Sequence, residues 1–141
     1  MASPPVPPEI QAFLQEANPA VIATLRDDGS PHTVATWYLW DTGRVLVNMD
    51  GARRRLAHLR RDPRVSITVL GADADGWYRH VTLEGRAVSI EPDPELDDID
   101  RLARHYTASP FGTRGRSRVS AWIEVDSWHA WAGARPWARP D

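Results

Sequence analysis

The alternation of hydrophobic and polar positions divides the chain into short strands that are separated by turns, with a few helices between them. A short helix is predicted first, over residues 9–17, where apolar side chains recur at helical spacing. Runs rich in β-branched and aromatic residues, separated by turns that contain Asp and Gly, then predict three strands joined as a meander. These strands are residues 20–26, 31–40 and 44–49.

The second half of the pattern predicts an arginine-rich helix that begins near Asp50, three more strands and a last helix. The three strands are residues 65–70, 78–90 and 118–131. Gly85 interrupts the middle strand of the three and predicts a bulge there. Asp93-Pro94 predicts the start of the last helix, because Asp is a preferred N-cap and Pro suits the first helical position.

Six strands that are connected mostly by hairpins indicate a mainly β (α+β) fold, an antiparallel barrel with flanking helices. At 141 residues the chain is expected to form one domain. We assign residues 9–135 to this domain, residues 1–8 to a flexible Pro-rich tail and residues 136–141 to a second tail.

The composition excludes several classes of function. The chain has no cysteine and no lysine, so thiolate metal sites, disulfides and Schiff-base chemistry are ruled out. The histidines are scattered without the spacing of metal ligands, and we expect no metal. A net charge of −2 argues against nucleic-acid binding, and no apolar run approaches the length of a membrane span. Without a recognisable signal peptide, a cytoplasmic protein is expected.

The three arginines at 53–55 fall in the first turn of the predicted second helix, where the helix dipole favours acidic side chains. Each unfavourable charge costs roughly 0.3–1 kcal/mol at an exposed helix end, which an anion bound among the arginines would offset. Free N–H groups and guanidinium groups together suit a phosphate or a carboxylate. The alternative interpretation is a solvated helix face.

Tryptophan is the other notable feature, with seven in the chain. Most are expected in the core or in a subunit interface, because an aromatic side chain buries about 150–250 Å². Trp128 and Trp131 crowd the end of the last strand, and they indicate either an interface or a stacking surface for a planar ring.

Five segments together resemble the flavin/deazaflavin oxidoreductases with the pyridoxamine 5′-phosphate oxidase-like split β-barrel, particularly the deazaflavin-dependent branch. The segments are Asp28-Gly29-Ser30-Pro31-His32, Thr36-Trp37-Tyr38, Arg53-Arg54-Arg55, Leu59-Arg60-Arg61-Asp62-Pro63-Arg64-Val65-Ser66 and Leu83-Glu84-Gly85-Arg86-Ala87. The run at 59–66, at its distance from the D-G-x-P-H turn, is the most specific part. The resemblance extends over about residues 10–131 and implies a six-stranded antiparallel split β-barrel of the FMN-binding type.

The resemblance also implies a function. It is an oxidoreductase that transfers a hydride from reduced coenzyme F420 to a conjugated small-molecule acceptor, in a homodimer with cofactor sites at the subunit interface. FMN is the alternative cofactor in the same fold. A non-catalytic module that binds a flavin, haem or tetrapyrrole is the alternative from another class.

Site residues follow from the positions that match the family. Its phosphate-binding pair falls on Arg53, Arg54 and Arg55, with Arg55 where the family usually has lysine. The other predicted cofactor contacts, to which the stacking candidate Trp128 is added, are Thr33, Thr36, Trp37, Asn48, Met49, His80 and Trp128. His80 lies near the position at which FMN-binding relatives use a glutamine from the partner subunit. Candidates for the proton donor, weighed against structural roles, are Tyr38, His32 and His80. Residues 71–77, residues 109–116 and the C-terminal tryptophans are expected to form the acceptor pocket.

Overall fold

The structure, a computed structural model, describes residues 5–133 and 135–138, which contain eight strands and three α-helices. The elements are α1 (Pro8–Leu14), β1 (Ala20–Leu25), β2 (Pro31–Thr36), β3 (Leu39–Asp41), β4 (Arg44–Asp50), α2 (Arg54–Arg61), β5 (Arg64–Leu70), β6 (Arg79–Pro92), α3 (Asp97–Thr107), β7 (Arg118–Ala132) and β8 (Arg135–Ala138). Parts of the two predicted tails, residues 1–4 and 139–141, lie outside the described residues.

The strands form one antiparallel sheet in the order β2-β1-β5-β6-β7-β4-β3, with β8 added beside β7. The sheet does not close on itself, and it is compatible with a split barrel. The mainly β fold with flanking helices, predicted from the sequence, is therefore confirmed. The long strands β6 and β7 pair along most of their length and join the two halves of the sheet.

The predicted three-strand meander is wrong. Residues 31–40 form two strands instead of one: β2 lies at one edge of the sheet and β3 at the other. The chain crosses between them at Trp37 and Tyr38. Tyr38 is fully buried and its hydroxyl donates to the Leu14 carbonyl at 2.8 Å, while Trp37 stacks on Tyr106 of α3. These tertiary contacts outweigh the high β-propensity of the segment.

The last helix begins three residues later than predicted, at Asp97 instead of Pro94, and its N-cap is Leu96 instead of Asp93. Leu96, which precedes it, has a left-handed backbone with φ of 61°. The Asp93 carboxylate nevertheless accepts hydrogen bonds from the amides of Asp98 and Ile99, at 3.2 and 3.0 Å. Asp93 therefore satisfies N–H groups of the first turn, as a cap does, but from outside the usual N-cap position.

The bulge predicted at Gly85 is present, since the register of β6 and β7 shifts between Glu84 and Gly85. A Cβ atom at Gly85 would lie 1.9 Å from the Glu124 carbonyl oxygen, so only glycine fits there without a shift of the backbone. The sequence did not predict β8, which extends past the assigned boundary at 135 and pairs with the end of β7.

Two apolar clusters hold the elements together. The larger packs α1 and α2 against the inward side chains of the strands, and the smaller packs α3 against β3 and β4. The smaller cluster consists of Leu39, Leu46, Ile99 and Leu102. None of the helices in the described part of the chain has the length and apolar character needed to cross a membrane.

Candidate functional site

A cavity of about 930 Å³ opens between β2, β4, the start of α2 and one side of α3. Its apolar wall comes mainly from α3 and the segment that follows it. This wall consists of Ile99, Leu102, Tyr106 and Phe111, with Met49 from β4. The charged side chains of its lining are four arginines and a single carboxylate: Arg53, Arg54, Arg55, Arg118 and Asp50. The cavity thus combines a basic wall with an apolar one.

The basic wall is built at the start of α2. The sequence predicted a helix start near Asp50, but α2 begins at Arg54, because Asp50 still pairs with Arg118 in the sheet. Arg53 is therefore the N-cap residue; its backbone is extended, and its side chain makes no capping hydrogen bond to the described residues. Asp50 accepts a hydrogen bond from the Ala52 amide at 2.8 Å. Within the described ranges, none of Arg53, Arg54 and Arg55 forms an ion pair. The start of α2 therefore brings to one cavity three arginines that form no ion pair within the described ranges.

Arg55 is the most constrained of the three. It is half-buried, and one terminal amino group lies 3.5 Å from the Asn48 carbonyl oxygen. Its Nε atom is buried and has no hydrogen-bond partner among the described residues. Burial lowers the pKa of Arg55, and the charges of Arg53 and Arg118 lower it further. A buried donor without an acceptor is costly, so this site fits an anionic ligand atom that accepts from Arg55.

Arg118 belongs to the same wall, and the sequence analysis missed it. It stands opposite Asp50 in the pairing of β4 with β7. Its Nε donates to the Asn48 side-chain oxygen at 3.0 Å, and its guanidinium lies over the Phe111 ring, 4.8 Å from the centroid. The available signal was an arginine at the start of a strand, which is too common to single out. Its partners lie 70 and 7 residues away in sequence.

Several predicted cofactor contacts do come together here. Thr36, Trp37, Asn48, Met49 and the arginines line the cavity. Trp37 stacks on Tyr106 with ring centroids 5.3 Å apart and planes 10° from parallel. Asn48 is almost fully buried, and its side-chain atoms are already bonded within the protein. Thr33 is exposed and is absent from the cavity wall.

Of the three candidates for the proton donor, His32 lines the cavity. Its Nδ1 is buried with no hydrogen-bond partner in the part of the chain that the structure describes, and its ring packs edge-on against that of His58, with the centroids 5.3 Å apart. His58 is held in turn by Thr24, whose hydroxyl lies 2.9 Å from its Nδ1. Burial lowers the pKa of His32, and the charges of nearby arginines and of His58 add to the effect. The imidazole is therefore mainly neutral at neutral pH.

The structure places Tyr38, His80 and Trp128 away from the cavity of this chain. Tyr38 and Trp128 belong to the main core cluster, and burial raises the pKa of the Tyr38 hydroxyl. His80 lies on β6, with its Nδ1 3.0 Å from the Trp77 carbonyl oxygen. Core burial of large aromatic side chains is the simpler use of such residues in a small domain.

Of the segments that were predicted to form the acceptor pocket, some line the cavity and others lie outside it. From residues 109–116, Phe111 reaches the cavity. Trp77 and Tyr78 lie outside it, stacked on each other at 4.6 Å and exposed by 61% and 56%. No group of three His, Asp or Glu side chains among the described residues is placed to hold a metal ion.

Comparison with known proteins gives a consistent family relationship. Residues 6–132 match the model of the pyridoxamine 5′-phosphate oxidase family. A solved structure of an F420 reductase is 25% identical, with a TM-score of 0.77, and the match covers 87% of this chain and 98% of that one. A conserved hypothetical protein from Mycobacterium tuberculosis is 27% identical, with a TM-score of 0.70 over 94% of this chain and 88% of that one. An FAD-binding protein from Mesorhizobium loti, 22% identical with a TM-score of 0.61 over 86% and 91%, shares the fold.

Proposed function

The chain belongs to the pyridoxamine 5′-phosphate oxidase family, and we propose that it is an F420-dependent oxidoreductase that reduces a conjugated small-molecule acceptor. The observation that carries the proposal is the cavity beside α2. In it, guanidinium groups without an ion-pair partner in the described part of the chain stand next to an apolar wall. A ligand that fits both walls has an acidic tail and a planar, largely apolar ring.

The basic wall binds the acidic tail in this proposal. The α2 amides and the Arg53 and Arg55 side chains donate to a phosphate, and the buried Nε of Arg55 gains the acceptor that no described residue provides. A guanidinium in place of the usual lysine offers two parallel donors to a phosphate instead of a point charge.

The apolar wall binds and orients the ring. Met49, Ile99 and Leu102 exclude water, while the Trp37–Tyr106 stack gives the cavity a rigid aromatic side. The chain supplies binding and orientation, and a reduced deazaflavin, when bound, would supply the hydride. His32 lies in the cavity wall, and in this proposal its neutral ring donates a hydrogen bond to the acceptor, while only its protonated form would donate a proton to the reduced product.

The 25% identical F420 reductase supports the choice of a deazaflavin as the cofactor. The family match equally accommodates FMN, which has one phosphate and a similar ring. We also propose that the protein is a homodimer, since the exposed, stacked pair Trp77 and Tyr78 is the kind of aromatic surface that subunit interfaces cover.

A fluorescence titration with F420 and, in parallel, with FMN tests the cofactor site. The wild type is expected to bind F420 at micromolar concentration or below. The double variant Arg53→Ala/Arg55→Ala is expected to bind F420 about 10-fold to 100-fold more weakly than the wild type, because a hydrogen bond to a charged group contributes about 1.5–3 kcal/mol. Arg60→Ala is the matched control, since Arg60 is exposed on the same helix and does not line the cavity.

Three outcomes would change the proposal. Binding of FMN alone would replace the deazaflavin by a flavin. Tight binding without reduction of any conjugated acceptor would favour a non-catalytic carrier. If neither cofactor binds, or if the double variant binds as tightly as the wild type, the arginines are a solvated helix face and the proposal fails.

A further inference from the structure

A buried polar network surrounds Asn48 behind the basic wall. Asn48, Asp93 and Ser120 are 5%, 6% and 3% exposed. The Asn48 Nδ2 donates to an Asp93 carboxylate oxygen at 3.1 Å and to the Ser120 hydroxyl at 3.0 Å. The Ser120 hydroxyl in turn donates to Asp98 at 2.6 Å. Both hydrogens of the Asn48 amide are therefore used on the side away from the cavity.

This arrangement fixes which way the Asn48 amide points. The Asp93 carboxylate only accepts hydrogen bonds, so it must face the amide NH₂. The Arg118 guanidinium only donates, so it must face the amide oxygen, 3.0 Å from its Nε. The network thus holds a carbonyl dipole against Arg118. A buried polar network of this kind is costly unless every member is satisfied, and here it positions one side chain of the cavity wall.

Arg118 is held at a second point, since the Phe111 ring lies under its guanidinium. Its two terminal amino groups donate no hydrogen bond to any described residue. The nearby carboxylates are occupied: Asp50 pairs with Arg116 at 2.6 Å, and Asp93 accepts from Asn48 and from the start of α3. Arg118 is therefore a half-buried cation of fixed orientation with its terminal donors available in the cavity.

We propose that Arg118 binds a second acidic group of the ligands, a carboxylate or phosphate distinct from the one bound at the start of α2, and that Asn48 is its positioning residue. The inference rests on the proposed function for the identity of the cavity as the cofactor site. The second acidic group belongs either to the cofactor tail, which in F420 carries carboxylates beyond its phosphodiester, or to the acceptor. Arg118 then determines specificity, because a ligand without that group leaves the terminal amino groups of a partly desolvated cation without an acceptor.

The cofactor source is tested with two pairs of probes in fluorescence titrations. F420 is compared with its tail-less deazaflavin alcohol, and FMN with riboflavin. If the second acidic group lies on the tail, Arg118→Met weakens F420 binding about 5-fold to 50-fold, changes binding of the tail-less compound less than about 2-fold, and reduces the F420-to-FMN affinity ratio. Arg104→Met, exposed on α3, is the control and leaves all four affinities unchanged.

The acceptor source is tested with benzoate and benzamide, which compete for the cofactor-loaded cavity and differ in charge. If the acidic group lies on the acceptor, the wild type prefers benzoate, Arg118→Met loses that preference, and F420 binding stays the same. If the variant changes neither the tail dependence nor the benzoate preference, the inference is overturned. Should Arg118→Met not fold, as judged by its thermal unfolding, Arg118→Lys keeps the charge and loses the planar fork, and the same ratios shift by a smaller factor.

A ring-free probe separates this inference from the proposed function. Inorganic pyrophosphate has two phosphoryl groups to contact neighbouring anion sites, and inorganic phosphate has one. Calorimetry of the wild type is therefore expected to show tighter binding of pyrophosphate, since Arg55 and Arg118 line one cavity and their charges interact. Loss of that preference in Arg118→Met supports the second site even if no ring compound binds and the oxidoreductase proposal fails. An unchanged preference, or no binding of either anion by the wild type, overturns the second site.

Discussion

At the scale of single residues, His32 shows how the arginines alter a neighbour. Its pKa lies below the ordinary 6.5 because of burial, followed by the charges of Arg26, His58, Arg54 and Arg55. Since the folded protein takes up this proton less readily than the unfolded chain, His32 lowers stability as the pH falls through 6.5 towards the folded value. Above 6.5 both states are neutral at this position and the effect vanishes.

Replacing His32 by Gln is therefore expected to flatten the acid side of the stability profile. Between pH 7.5 and 5.5 the unfolding temperature of the wild type should decrease more than that of His32→Gln, as measured by thermal unfolding. Saturating F420 should reduce this difference, because an anion beside Arg54 and Arg55 offsets their repulsion of the imidazolium. The exposed His129→Gln variant is the control. If the two profiles run parallel, the pKa of His32 is not lowered in the folded protein.

The sequence predicted a residue's structural role where the residues that it interacts with lie near it in the chain. The arginines at the start of α2 and the bulge at Gly85 were both predicted, because helix polarity and glycine geometry act over a few residues. The contacts of Arg118 with Asn48 and of Tyr106 with Trp37 were not. The partners are 70 and 69 residues apart, and no local pattern reports such a contact.

At the scale of elements, α3 depends on a carboxylate that lies outside it. Asp93 accepts from two first-turn amides of the helix and from Asn48, so it ties α3 to β4. Periodicity predicted this helix, but the start was misplaced, since the N-cap pattern cannot reveal that Leu96 takes a left-handed conformation. The strand pattern found most segments of the sheet while missing the break after Thr36 and the short strand β8.

Asp93→Ala is expected to lower the free energy of unfolding by about 1–3 kcal/mol, because it leaves buried donors without an acceptor. Urea denaturation measures this change. Asp97→Ala, an exposed substitution in the first turn of the same helix, is the matched control and should change stability by less than roughly 0.5 kcal/mol. Equal effects of the two substitutions would show that Asp93 acts only as a first-turn charge.

Asp93→Ala should also weaken F420 binding, since Asn48 then no longer orients Arg118.

At the scale of the whole molecule, the exposed pair Trp77 and Tyr78 is the surface that we expect the proposed homodimer to bury. Light scattering after size-exclusion chromatography should give the mass of a dimer for the wild type. Trp77→Ala/Tyr78→Ala should give a monomer, because truncating aromatic anchors at the centre of an interface typically costs 2 kcal/mol or more. Val88→Ser, at another exposed apolar position, is the control. A monomeric wild type would contradict the proposed homodimer.

The crossing at Trp37 and Tyr38 has a consequence for how the chain is made. It sends β4 to the far side of the sheet, where its partners are β3 and β7, and Val47 pairs with Ala121. During synthesis, more than seventy further residues must therefore be added after Val47 before its pairing partner in β7 emerges from the ribosome. Sheets that depend on such distant pairings form slowly, and their unpaired apolar strands aggregate. Expression at low temperature, or with a chaperone that shields apolar segments, is accordingly the condition under which the yield of folded protein should rise most.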